Sequence, residues 1–92
     1  MQKDEIANYI TNKIGVSPVN FSRGSTEPKE LFIQIAIAIG LEFSNDMSKP
    51  ELAKLIVERS GNKWHSNFES NGATVTKEGL EAVKNAVDFF LN

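Results

Sequence analysis

The sequence predicts a mainly α-helical, winged-helix-like domain: three helices, a short β-hairpin as the wing, and a C-terminal helix. Three observations carry that prediction. Apolar residues recur at three- and four-residue spacing in four stretches, each opened by a capping residue or closed by glycine. Between the third and fourth stretches the period falls to two over residues 64–68, and Ser70-Asn71-Gly72 follows as a turn signal. The chain of 92 residues, 40% hydrophobic and 24% charged, suits one core, so residues 1–92 are expected to form a single domain.

The first helix is expected over residues 4–14. Ile6, Tyr9, Ile10 and Ile14 form one stripe, Asp4 and Glu5 suit the positive end, Lys13 suits the last turn, and Gly15 supplies the stop. Residues 16–23 read as loop around Pro18. The second helix is expected over 27–39, opening at Ser25-Thr26-Glu27-Pro28, where a hydroxyl can cap free amides and proline is tolerated. From Leu31 to Ile39 apolar residues point in almost every direction, which predicts a helix enclosed by the others.

The third helix is expected over 49–59. Ser48 is its N-cap, Pro50 lies in the first turn, and Glu51 completes a capping box. Leu52, Leu55 and Ile56 face inward, Lys54 and Glu58 outward, and Ser60-Gly61 ends it. The hairpin is expected over 63–75, with Trp64, Ser66 and Phe68 alternating against His65 and Asn67, and Thr74-Val75 as the return strand. Trp64 is expected to anchor the hairpin to the helices. Thr76 then caps a last helix over 77–91, whose stripe is Leu80, Val83, Val87, Phe90 and Leu91.

Several chemistries find no support. The absence of cysteine removes disulfides, thiolate metal sites and thiol nucleophiles. There is one histidine, no His-x-x-x-His, no spaced carboxylate cluster, no phosphate-binding P-loop and no Gly-x-Ser-x-Gly elbow. No catalysis, no cofactor and no metal are therefore expected. The longest apolar stretch, residues 31–41, is roughly half of a bilayer span, and Met-Gln-Lys-Asp-Glu lacks a signal-peptide pattern. The expectation is a cytoplasmic protein without a membrane partner.

Charge narrows the partner. Twelve acidic and ten basic residues give a net charge of −2, so the chain as a whole is no polycation. Between Lys49 and Lys77, however, five basic residues (Lys49, Lys54, Arg59, Lys63, Lys77) meet three acidic ones (Glu51, Glu58, Glu69), a local +2. Double-stranded DNA is the expected partner. The third helix would present Ser48, Lys49, Lys54 and Glu58, and the wing Lys63, His65, Asn67, Ser70 and Asn71. Arg23 and Lys77 add charge, and Ser25, Thr26 and Thr76 stand where helix amides could receive phosphate. The alternative is a protein-interaction or homo-oligomerisation module, using Phe89, Phe90 and Leu91 or the isoleucines of the second helix.

An internal echo runs through the chain. Residues 22–30 (Ser-Arg-Gly-Ser-Thr-Glu-Pro-Lys-Glu) parallel residues 70–78 (Ser-Asn-Gly-Ala-Thr-Val-Thr-Lys-Glu), each copy preceded by an Asn-Phe pair. Both copies read as glycine turns feeding capped helices, or as paired loops with a shared role. Together with Ser48-Lys49-Pro50-Glu51-Leu52-Ala53-Lys54 and the run through Gly79-Leu80, these phrases resemble small helical domains found at the ends of prokaryotic restriction endonucleases. The resemblance implies a recognition module beside a nuclease domain that lies elsewhere. It brings no nuclease chemistry to this chain, which has no Pro-Asp followed by a Glu-x-Lys pair.

Overall fold

Side chains at the helix ends set where each element starts. The computed structural model describes residues 2–16, 29–71 and 74–92. Within them lie four helices, α1 (Lys3–Ile14), α2 (Lys29–Ile39), α3 (Lys49–Arg59) and α4 (Lys77–Leu91). Between α3 and α4 sits an antiparallel hairpin of β1 (Glu69–Ser70) and β2 (Thr74–Val75), with Glu69 opposite Val75 and Ser70 opposite Thr74. The fold is mainly α with one short hairpin.

Helix α1 begins one residue earlier than the charge pattern predicts. The Glu5 carboxylate accepts the Gln2 N–H at 2.7 Å, which makes Gln2 the N-cap. Gly15, at φ +81°, closes the helix by donating its N–H to the Thr11 carbonyl at 2.9 Å. At α3 the capping box forms as read: the Ser48 N–H donates to Glu51 Oε1 at 2.8 Å, and the Glu51 N–H donates to Ser48 Oγ at 3.3 Å. At α4, Thr76 Oγ1 accepts the Gly79 N–H at 3.2 Å and donates to the Asn67 carbonyl at 2.7 Å. That second bond ties the helix start to the segment before the hairpin. The expected opening of α2 at residues 25–28 lies outside the described residues.

Ile6 and Ile10 of α1, Leu31, Phe32 and Ile35 of α2, Leu52, Ile56 and Val57 of α3, Val75 of β2, and Leu80, Val83 and Val87 of α4 are fully buried in one cluster. Each such side chain contributes about 1.5–3 kcal/mol of transfer free energy. Helix α4 packs against α1, α3 and α2, and so forms the spine of the domain.

Two expectations are corrected. Helix α2 is not enclosed on all sides: Ile37 is 58% exposed and Ala38 is exposed too. It buries Leu31, Phe32, Ile35 and Ala36 on one face, and among the described residues no element covers Ile37 and Ala38 on the other. The hairpin is also shorter than 63–75. Residues Ser66–Phe68 form a 3₁₀ turn, with the Phe68 N–H donating to the His65 carbonyl at 3.0 Å, and each strand has two residues. Ser66 offers no apolar surface to an alternating strand. The turn instead brings the Trp64 and Phe68 rings edge to face at 5.2 Å, with Trp64 half-buried against the core.

Candidate nucleic-acid interface

Of the residues proposed to contact DNA, Lys54, Lys63, His65, Asn67, Ser70 and Asn71 are exposed, while Ser48, Lys49 and Lys77 are half-buried. Arg23 and Ser25 lie outside the described residues. Ser48 already serves the α3 cap with both its amide and its hydroxyl. Asn71 takes φ +56°, the left-handed conformation that the Ser-Asn-Gly turn signal implies.

Lys54 and Lys63 line different depressions. Lys54 shares one with Ser48, Pro50, Glu51 and Glu69, and a neighbouring one with Met47, Glu51, Leu55 and Glu58. Carboxylates therefore accompany Lys54 in both depressions, and on the exposed face of α3 Glu51 and Glu58 balance Lys54 and Arg59. The Glu51 carboxyl is held below its ordinary value of 4.5, first by the Ser48 N–H it accepts, then by the Ser48 side chain, with Lys29 adding attraction against a small desolvation cost.

Lys63 and His65 line a separate depression of about 260 Å³, together with Val57, Asn62, Phe68, Ala82 and Asn85. No carboxylate contributes to it. Its walls come from the end of α3, the 3₁₀ turn and the middle of α4. His65 stands edge to face with Phe68 at 5.1 Å, which fixes the plane of an otherwise exposed imidazole. Between Arg59 and Lys77 the one carboxylate is Glu69, and it accepts the Trp64 indole N–H at 2.6 Å. The outward groups of this stretch are therefore amides, hydroxyls, an imidazole and cations, displayed on a segment pinned at Trp64, Phe68 and Thr76.

Asn62 and Asn85 belong to this surface and do not appear among the residues expected from sequence. Asparagine is a poor helix former, so an asparagine inside the otherwise regular 77–91 pattern is the signal that points to Asn85. Asn62 carries no such mark, because asparagine is ordinary after a helix-ending glycine.

Among the described residues no group of three or more His, Asp or Glu side chains could hold a metal ion, and no helix is long and apolar enough to cross a membrane. Comparison with protein-family models, with curated proteins and with solved structures gives no match.

Proposed function

We propose that the chain is a non-catalytic, winged-helix-like DNA-recognition module, serving a restriction or other DNA-processing protein in the cytoplasm. The observation that supports it is the exposed stretch from Arg59 to Asn71, whose one carboxylate is occupied by Trp64. Lys63 and Arg59 meet phosphates, while His65, Asn67, Ser70 and Asn71 bond sugar oxygens or base edges. Contact is led by the hairpin segment rather than by the face of α3, where Glu51 and Glu58 offset the pull of Lys54 on a phosphate backbone.

The test is titration of a short duplex across a range of salt concentrations. Log affinity should fall linearly with log salt, and Lys63→Ala should lower the slope by about one unit. Lack of binding at low salt, or binding insensitive to salt, rejects the reading.

A second reading, self-association, is favoured by one observation: Phe89 is 65% exposed and Ile37 is 58% exposed. Sedimentation over a concentration series separates the two, since a monomer at every concentration rejects self-association and leaves DNA recognition intact.

A further inference from the structure

We infer that the depression between the end of α3, the 3₁₀ turn and α4 receives a single unstacked nucleobase, an inference that rests on the DNA reading above. Its floor is apolar, formed by Val57, Phe68 and Ala82, and its rim carries the Asn62 and Asn85 carboxamides, Lys63 and His65. A nucleobase presents the same division: two apolar faces and an edge of donors and acceptors. A carboxamide supplies one donor group and one acceptor, and so matches that edge in either order. The Asn62 amide donates to Ser60 Oγ at 3.3 Å, which orients its carbonyl. The imidazole of His65 is exposed and held perpendicular to Phe68, so it offers a fixed ring against which a base can stack. Lys63 stands beside it for the attached phosphate.

Charge selects this depression over the two that Lys54 lines. At about 260 Å³ it lies just under the roughly 300–1,000 Å³ typical of pockets for larger ligands, which is room enough for one base. The neighbouring depressions on α3 are lined by Lys54 and Glu51 with Glu69 or Glu58, so carboxylates outnumber the cation in both. A base still paired in the duplex cannot reach an apolar floor. An unpaired one can, because unstacking it costs least.

The experiment compares a fully paired duplex with the same duplex carrying one unpaired 2-aminopurine. Affinity for the second should be roughly tenfold higher, the effect of one stacked base, and the probe's fluorescence should change on binding. Asn85→Ala and His65→Ala should each remove most of that ratio. Equal affinity with unchanged fluorescence overturns the inference while the DNA reading stands. Failure of both duplexes to bind defeats the DNA reading and this inference with it. Competition by a free nucleoside monophosphate as effective as the unpaired strand would assign the pocket to a small molecule and overturn the inference alone.

Discussion

Gly79 lies directly against the carbonyl oxygen of Phe68, so that a Cβ on Gly79 would overlap it and would also stand 2.8 Å from Val75 Cγ1. The same carbonyl accepts the Thr76 N–H at 2.9 Å. The base of the hairpin is therefore clamped onto the first turn of α4, with glycine supplying the room. In an isolated helix Gly79→Ala would gain about 1 kcal/mol of propensity. Here the obstructing atom is backbone, held by its own hydrogen bond, and cannot rotate away. Overpacking of this kind costs about 1–3 kcal/mol. Gly79→Ala is expected to lower stability in urea unfolding despite the propensity gain; a more stable variant would show that the hairpin shifts freely.

The cap of α3 gives a prediction with a pH sign. Ser48→Ala removes the hydroxyl that receives the Glu51 N–H and should cost about 1 kcal/mol. The Glu51 carboxyl is lowered in the folded state, so its contribution is present above the ordinary carboxyl value and disappears as pH falls through the folded one. Glu51→Gln should flatten that part of the acid limb in thermal melts across pH. A limb of unchanged slope would place the acid sensitivity at other carboxyls.

Tyr9 reports the packing of α1 on α4. Its hydroxyl donates to Asp88 Oδ1 at 2.8 Å, and Lys84 Nζ sits 4.6 Å from the ring centre and 3.5 Å from Asp88 Oδ2. The phenol is raised above its ordinary value of 10.0, chiefly by the bond to Asp88, then by burial and the Asp88 charge. Because the folded value is the higher one, this stabilisation is complete below the unfolded value and is lost as pH rises through the folded one. Tyr9 is the one tyrosine in the chain, so phenolate absorbance follows it alone. Asp88→Asn should move the titration back toward the ordinary value.

Periodicity made the helices legible because burial on one face is what creates it. Leu80, Val83 and Val87 face the core, and their spacing says so without any tertiary information. Ser48 and Thr76 were equally readable, since a cap acts within three residues. The 3₁₀ turn was hidden because Trp64 and Phe68 fit a two-residue period as well as a four-residue one, and only the meeting of their rings decides between them. Ile37 misled for the opposite reason: composition reveals how apolar a helix is, but not how many neighbours it has. The candidate site was half legible. Lys63 is read from the charge count and His65 from its place in the expected wing, whereas the separation of Lys54 from Lys63 and the joining of Asn85 to Lys63 and His65 depend on where α4 lies.

That separation predicts unequal lysines. Lys54 shares its surroundings with Glu51, Glu58 and Glu69, which offset its attraction for a bound phosphate. Lys54→Ala is expected to change the salt slope of duplex binding by well under the roughly one unit expected of Lys63→Ala. Equal effects would restore α3 as the contacting face.

Glu69 provides the sharpest charge test, because its two roles can be separated. It is the one carboxylate between Arg59 and Lys77, and its Oε2 accepts the Trp64 indole N–H. Glu69→Gln keeps a side-chain oxygen for that bond and removes the negative charge. The hairpin should stay anchored, with Trp64 fluorescence unchanged, while duplex affinity at low salt rises roughly two- to fivefold, the effect of one partly exposed charge. Glu69→Ala removes the charge and the acceptor together, leaving the half-buried indole N–H unpaired, and should cost about 1 kcal/mol or more in stability. If Glu69→Gln leaves affinity unchanged at every salt concentration, the hairpin strand that carries Glu69 does not face a phosphate backbone.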